Sequence, residues 1–281
     1  MKKKVIADAP IGVFDSGLGG LTVVREIRKQ LPAERIIYFG DIARLPYGIK
    51  SDAQIRDFSC QNTEFLIRRG VKAVVIACNS SASAASAYLK KLFSVPVIDV
   101  IGPAASEAAQ LTQNLKVGII GTQATVEAGA YERAIRDTNS GIRVYAQACP
   151  LLVPLVEEGI LNGDLTRVVL SRYLTPILNH RIDTLILGCT HYPLLHRAIR
   201  KTVGPWVKLV DSAPATVQKL KGVLEEKEAL RLTREKGALE IFVSDRSRNF
   251  AVIGTRFLGK SLDCVKVVRF KGEVTENGKW V

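Results

Sequence analysis

The chain has 281 residues, 47% of them hydrophobic and 24% charged, with a formal net charge of +13. This length and composition suit one large or two modest globular domains and exclude a disordered chain. The apolar runs are only strand-sized, and the start MKKKVIADAP lacks an apolar stretch, which argues against a transmembrane span and a secretory signal.

The basic residues fall in small groups along the chain, without a helix-turn-helix, zinc-finger or RNA-binding signature. We interpret them as a solvated surface, so no nucleic-acid partner is required and no membrane association is predicted. A DNA-binding protein stays as an alternative that only the charge suggests. Five cysteines without regular spacing indicate reduced thiols and therefore a cytoplasmic protein.

Strand-like runs alternate with helical patterns from the first residues onward. Continuous apolar runs predict strands at PIGVFD, RIIYFG, KAVVIA, PVIDV, LKVGIIG, IRVYAQA and DTLILG. Apolar residues three or four positions apart predict helices at LTVVREIRKQL, AQIRDFSCQNTEFLIRRG, SASAASAYLKKLF, ATVEAGAYERAIRD, LTRVVLSRYLTPILN and LLHRAIRKTV. This alternation is typical of parallel sheets covered on both faces, so the predicted class is α/β, doubly wound.

The order of motifs repeats once along the chain. IGVFDSG matches VGIIGTQ, VVIACNS matches LILGCTH, and VPVIDV matches VKLVDS. The repeat predicts two similar lobes related by a pseudo-twofold, with the site in the cleft between them. The first lobe comprises residues 1–100 plus 211–281, and the second comprises residues 101–210. The C-terminal segment, with ALEIFVS and AVIGTRFLG, has no third copy and is predicted to pack back onto the first lobe.

Cys78 and Cys189 occupy the same place in the two repeats, after a strand and before a predicted helix. Ligands bind at the carboxyl ends of parallel strands, so both thiols are expected in one cleft. A helix N-terminus behind each cysteine should lower its pKa. The other cysteines, Cys60, Cys149 and Cys264, are interpreted as small packing residues.

Two acid–base groups on opposite faces of a substrate suit the inversion of a carbon stereocentre. One thiolate removes a proton from one face, and the other thiol returns a proton to the opposite face. A disulfide-exchange site would need C-x-x-C, which is absent, and a zinc site would need further ligands. No metal is therefore predicted.

The motifs GVFDSGLGGLTVVREI, YFGDIARLPYG, ACNSSAS, VGIIGTQATVEAGAY and LGCTHYPLL together resemble those of the glutamate racemases. The resemblance runs from about residue 11 to about residue 215 and continues more weakly to the end. It implies an isomerase that needs no cofactor, acts on the small molecule glutamate in the cytoplasm, and makes D-glutamate for peptidoglycan and thus for cell-wall biogenesis and cell shape. The family forms dimers of different arrangement, which leaves a homodimer open here.

The resemblance also implies roles for individual residues. Cys78 resembles the base for D-glutamate, and Cys189 resembles the base for L-glutamate. The residues with supporting roles in proton transfer are Asp15, Asp41, Glu157 and His191. The substrate-binding residues are Asp15, Ser16, Tyr47, Gly48, Asn79, Ser80, Thr190 and His191.

Two departures from the family and two alternative functions accompany this resemblance. The family usually has CNTAS where this chain has ACNSSAS, so Ser80 keeps a hydroxyl but loses a methyl group, and Ile42 stands where Thr is common. A racemase of the same superfamily acting on aspartate or a hydantoin is one alternative. A nucleotide-binding oxidoreductase is the other, because GLGG faintly imitates a dinucleotide fingerprint, although Thr22 stands where its third glycine would be.

Overall fold

The fold is given by a computed structural model, which describes residues 6–246, 249–262 and 264–269. Within these ranges the strands are β1 (Ile11–Asp15), β2 (Ile36–Gly40), β3 (Ala73–Ile76), β4 (Val97–Asp99), β5 (Lys116–Gly121), β6 (Arg143–Ala148), β7 (Thr184–Gly188), β8 (Lys208–Asp211), β9 (Leu239–Val243) and β10 (Val265–Val267). Every pairing between them is parallel. The predicted α/β class is confirmed.

The strands form two sheets with one shared topology. The first sheet has the order β10–β9–β2–β1–β3–β4, and the second has the order β6–β5–β7–β8. The run β2–β1–β3–β4 therefore corresponds strand by strand to the run β6–β5–β7–β8. The matching motifs lie on β1 and β5, on β3 and β7, and on β4 and β8. Two parallel-sheet lobes are thus confirmed, and the sequence repeat corresponds to a structural repeat.

The helices lie between the strands and cover the sheets. They are α1 (Leu21–Gln30), α2 (Asp52–Ile67), α3 (Asn79–Leu92), α4 (Ile101–Leu111), α5 (Gln123–Glu127), α6 (Ala130–Thr138), α7 (Leu152–Glu157), α8 (Asp164–Leu178), α9 (His196–Val203), α10 (Ser212–Glu226) and α11 (Phe250–Leu258). The single helix predicted at ATVEAGAYERAIRD is instead two helices, α5 and α6. The chain turns between them at Gly129, whose φ of +59° lies in the left-handed region that favours glycine.

Helices α4 and α10 carry the chain from the first sheet to the second and back, and they pack against each other. The aspartates of the third repeated motif begin both helices. Asp99 accepts hydrogen bonds from the backbone of Ile101 and Gly102, and Asp211 accepts one from the backbone of Ala213. Such capping satisfies amides that have no partner within the helix.

The C-terminal segment adds two strands to the first sheet. β9 pairs with β2, and β10 pairs with β9, so this edge of the first sheet has no counterpart in the second. The lobe boundaries near residues 100 and 210 stay a prediction. Across the described ranges no helix is long and apolar enough to span a membrane.

Candidate active site

A cavity of about 300 Å³ lies where the carboxyl ends of β3 and β7 face each other. Its lining includes most of the predicted site residues from both repeats: Ser16, Tyr47, Gly48, Cys78, Asn79, Ser80, Glu157, Cys189, Thr190 and His191. Both cysteines are free thiols, and both are buried. The structure therefore brings the two repeated cysteine motifs to one cavity, while their catalytic roles stay a prediction.

Cys78 caps the N-terminus of α3. Its Sγ accepts a hydrogen bond from the backbone of Ser81 and lies 3.5 Å from Ser16 Oγ. Burial, and next the negative charge of Asp15, raise the pKa of this thiol to about 11 against the opposing effect of these hydrogen bonds. The expectation of a lowered pKa is therefore wrong for Cys78, because burial outweighs the helix N-terminus.

Cys189 has a different setting. The helix predicted at LLHRAIRKTV is present as α9, but a 3₁₀ turn (Tyr192–Leu195) separates it from Cys189, so no α-helix N-terminus lies directly behind this cysteine. Its Sγ lies 3.8 Å from His191 Nδ1, and His191 Nε2 lies 3.1 Å from Glu157 Oε1. Thiol, imidazole and carboxylate thus form a continuous chain that can move or store a proton.

The imidazole of His191 is buried, which by itself disfavours its charged form. The hydrogen bonds and electrostatic interactions with Cys189 and Glu157 outweigh this effect and raise the pKa of His191 to about 10. His191 is therefore an imidazolium at neutral pH, held between a sulfur and a carboxylate.

Asp15 does not line the cavity. It is the last residue of β1, as the strand predicted at PIGVFD implies, and it is 1% exposed. Oδ2 accepts a hydrogen bond from the backbone of Gly17, while Oδ1 has no hydrogen-bond partner. Burial raises the pKa of Asp15, and the charge of His191 opposes that rise.

Asp41 anchors the loop that carries Tyr47 and Gly48. It is fully buried and accepts hydrogen bonds from the hydroxyl of Tyr47, from Arg44 Nε at 2.6 Å and from Ser244 Oγ at 2.9 Å. Asp41 does not line the cavity. Its contacts fit support of the loop better than direct proton transfer. Ser244, which follows β9, was not predicted because 203 residues separate it from Asp41.

Asn79 and Ser80 connect the first lobe to the second. The hydroxyl of Tyr131 donates to Asn79 Oδ1 at 2.7 Å, and Ser80 Oγ lies 2.9 Å from Thr122 Oγ1. Asn79 Nδ2 has no hydrogen-bond partner. Tyr131 thus fixes the orientation of the Asn79 side-chain amide and leaves its NH₂ group without a partner. Sequence reasoning missed Tyr131 and Thr122, although both lie in the quoted motif VGIIGTQATVEAGAY.

The glycine-rich loop after β1 packs against the second cysteine motif. A Cβ at Gly19 would lie 2.3 Å from Thr190 Oγ1 and 2.7 Å from His191 Nδ1. Thr22 Oγ1 also points to the carbonyl of Thr190, at 3.5 Å. Gly19 is therefore needed for the close approach of the two lobes, which gives the GLGG stretch a role other than holding a dinucleotide.

None of the other three cysteines lines this cavity. Cys149 is buried and Cys60 is half-buried, whereas Cys264 is exposed, so the interpretation of Cys264 as a packing residue is wrong. Burial raises the pKa of Cys60 to about 11. In the part of the chain that the structure describes, no group of three or more His, Cys, Asp or Glu residues could hold a metal ion.

Comparison with known proteins gives one consistent result. The Asp/Glu/hydantoin racemase family model matches residues 11–220. The chain is 45% identical over 263 residues to a glutamate racemase from Geobacter metallireducens, covering 94% of this chain and 97% of the relative. It is 48% identical over 260 residues to one from Neisseria meningitidis serogroup B, covering 92% and 96%. The crystal structure of glutamate racemase from Francisella tularensis in complex with D-glutamate matches with a TM-score of 0.88 at 40% identity, covering 93% of this chain and 98% of that one.

Proposed function

The chain belongs to the Asp/Glu/hydantoin racemase family and, within it, to the glutamate racemases, and from this premise we propose that it interconverts L- and D-glutamate by proton transfer between two thiols. One observation carries the mechanism. Cys78 and Cys189 follow equivalent strands of two similar lobes and line the same cavity. A substrate between the lobes would present opposite faces of its α-carbon to the two sulfurs.

The steps balance without any external reagent. The Cys189 thiolate takes the α-proton of L-glutamate, and the electron pair of the broken C–H bond remains on the substrate as a carbanion. The Cys78 thiol then gives its proton to the opposite face, which yields D-glutamate, a Cys78 thiolate and a Cys189 thiol. D-Glutamate reacts in the opposite direction. The raised pKa of Cys78 favours the protonated thiol that the L-to-D direction requires.

The lining of the cavity offers groups that suit an amino dicarboxylate. Asn79 Nδ2 is an unused donor, and the hydroxyls of Ser80 and Thr190 are further donors for carboxylates. Asp15 Oδ1, an unused acceptor, supports a role in attracting the substrate ammonium. We propose that Ser16, Tyr47 and Gly48 close the cavity around the substrate.

We also propose the compartment and the biosynthetic role of the enzyme. D-Glutamate made in the cytoplasm would supply peptidoglycan synthesis. A homodimer stays open, and light scattering after size-exclusion chromatography measures it.

The decisive experiment is incubation of the purified protein with L-glutamate in D₂O without added cofactor. We expect the ellipticity to decay to zero and deuterium to appear at the α-carbon, since the thiols exchange with solvent. L-Aspartate, as a parallel substrate, should change little. Activity that disappears on dialysis and returns only with pyridoxal phosphate would overturn the mechanism, and faster racemisation of aspartate would overturn the substrate.

Alkylation locates the chemistry. Iodoacetamide should abolish activity, and D,L-glutamate should protect. Peptide mapping should find the protected label on Cys78 or Cys189, with the exposed Cys264 as the internal control that substrate does not protect.

A further inference from the structure

The C-terminal helix α11 contacts the second lobe, although it belongs by sequence to the edge of the first sheet. It lies between β9 and β10, which pair in parallel beside β2. Its residues lie beyond residue 220, where the match to the family model ends. None of its residues is among the predicted site residues.

Arg256 and Phe257 are neighbours in α11, and they contact Glu157 and His191, the two residues that are linked by hydrogen bonds to Cys189. Arg256 Nη1 donates to the carbonyls of Val156 and Glu157, at 2.8 and 2.9 Å. The fully buried ring of Phe257 lies 4.9 Å from the ring of His191, centroid to centroid, and nearly perpendicular to it at 76°. Two adjacent residues of α11 thus contact two residues, Glu157 and His191, that are hydrogen-bonded to each other.

The contact of Arg256 fixes the end of α7. The last carbonyls of a helix have no amide partner within it, so a guanidinium that bonds two of them holds the end of the helix in place. After Glu157 the backbone turns at Gly159, where φ is +79° and a Cβ would lie 2.5 Å from Arg256 Nη2. Arg256 therefore fits against this turn and sets the backbone from which the Glu157 side chain reaches His191.

The contact of Phe257 acts on the imidazole itself. His191 must keep Nδ1 toward Cys189 and Nε2 toward Glu157 at the same time. Rotation of the ring would break both contacts, and the packed edge-to-face pair with Phe257 resists that rotation. The partners of Cys78, by contrast, are Ser16 and Ser81, which lie in the loop after β1 and at the start of α3.

We propose that Arg256 and Phe257 are positioning residues for proton transfer at Cys189, so that a segment of the first sheet's edge completes the half-site of the second lobe. This rests on the proposed two-thiol function. The proposal predicts that replacing either residue slows proton transfer on one face of the α-carbon only, the face that Cys189 serves.

Racemisation rates alone cannot reveal such a defect. The two enantiomers have equal free energy in water, so kcat/KM is the same in both directions for every variant. A glutamate analogue with a β-leaving group avoids this constraint. Removal of its α-proton expels the leaving group with its electron pair, and the resulting enamine hydrolyses to a keto acid and ammonia. The L-analogue then reports Cys189, and the D-analogue reports Cys78.

The experiment measures kcat/KM for elimination from both analogues with Arg256→Met, Arg256→Lys, Phe257→Leu and the control Val252→Ala, an exposed position on the same helix. The readout is the L-to-D ratio within one preparation, which does not depend on the fraction of folded protein. We expect the ratio to fall about 10- to 100-fold in Arg256→Met and Phe257→Leu, the scale of a misplaced catalytic group. Arg256→Lys should recover part of the loss, and Val252→Ala should match the wild type.

The possible results separate the two proposals. An unchanged ratio in both Arg256→Met and Phe257→Leu, whatever the absolute rates, overturns the positioning role. A ratio that falls equally in Val252→Ala overturns it as well. A wild-type protein that neither racemises glutamate nor eliminates from either analogue overturns the proposed function itself. A selective loss with the L-analogue supports both proposals.

Discussion

The two cysteines stand at equivalent places in two similar lobes, yet their surroundings differ in kind. Cys78 lies among hydroxyl and amide groups at a helix N-terminus and is affected by the charge of the buried carboxyl of Asp15. Cys189 lies beside an imidazolium that is itself held by Glu157. The repeated fold places the two sulfurs at matched positions, and the local residues give each sulfur different hydrogen-bond partners.

This difference indicates a preferred state of the free protein. With a pKa of about 11, the Cys78 thiol keeps its proton at neutral pH. On the proposed mechanism the resting enzyme is then ready for L-glutamate, with Cys78 as the proton donor. A substrate ammonium near Asp15 would offset the negative charge that raises the pKa of Cys78, which would help this thiol act as a base for D-glutamate.

The largest expected effect comes from replacing either sulfur. Cys78→Ser and Cys189→Ser each substitute a hydroxyl of far higher pKa, so racemisation should fall by at least about 1,000-fold in both variants. The elimination reaction should distinguish the two variants. Cys78→Ser should retain the reaction of the L-analogue, and Cys189→Ser that of the D-analogue.

Cys149→Ser is the matched control, because Cys149 is a buried free thiol that lies outside the cavity lining. It should keep most of its activity with both analogues. Equal elimination of both analogues by both active-site variants would show that the cysteines are not specific to one face each.

His191 provides the next largest test of the difference between the lobes. His191→Asn removes the group that joins Cys189 to Glu157, so elimination from the L-analogue should fall about 100-fold. The D-analogue should lose less than about threefold, because Cys78 keeps its partners. His196→Asn, a change of the same kind on the exposed side of α9, is the control. Equal losses with both analogues would contradict a role for His191 at one face.

How much of this site the sequence could predict depends on how far apart its contacts lie along the chain. Cys78 and Cys189 were predictable because a cysteine that follows a parallel strand lies at the carboxyl end of that strand. The same motif also occurs in both repeats. The contact between Arg256 and α7 was not predictable, since 100 residues separate Arg256 from Val156. No periodicity in either segment records that they meet.

Local chemistry was also misjudged where burial decided the outcome. The helix N-terminus behind Cys78 was correctly predicted, yet its effect on the pKa was not, because the sequence does not give the depth of the sulfur. The same holds for Asp15, whose place at the end of β1 is evident from the sequence while its burial is not. The positions of the site residues follow from the strand pattern, and their titration follows from packing.

A test with an effect of intermediate size concerns the charge of Asp15, which acts on Cys78. Asp15→Asn removes a negative charge that raises the pKa of this thiol, so the pKa should move down from about 11. The rate of Cys78 alkylation by iodoacetamide, followed by peptide mapping between pH 7 and 11, should then reach half its maximum at a lower pH. A displacement of about one pH unit corresponds to a tenfold faster reaction below the midpoint.

Asp164→Asn removes the same charge from a side chain that is 93% exposed and should leave the Cys78 profile unchanged. An Asp15→Asn profile that coincides with the wild type would mean that burial alone sets the pKa of Cys78. In that case a substrate ammonium could not tune this thiol through Asp15.

The smallest expected effect tests the hydroxyls that accompany the two cysteines. Ser80 stands in the first motif where the glutamate racemases usually have Thr, and Thr190 stands in the second. Both line the cavity, and Ser80 Oγ already has Thr122 Oγ1 as a partner at 2.9 Å. Ser80→Thr restores a methyl group and keeps the hydroxyl, and Thr190→Ser makes the reverse change.

We expect Ser80→Thr to change KM for glutamate by less than about threefold, since the hydroxyl and not the methyl group serves the substrate. The added methyl can turn toward the cavity, whose volume of about 300 Å³ leaves room beside a small amino acid. Ser80→Ala removes the hydroxyl and should raise KM about tenfold, because a hydrogen bond to a carboxylate contributes about 1.5 kcal/mol or more. Thr190→Ser should likewise change KM by less than about threefold, whereas Thr190→Ala should raise KM by more than that. If Ser80→Thr weakened binding as much as Ser80→Ala, packing around the first motif would decide affinity, and the two lobes would differ in substrate recognition as well as in proton transfer.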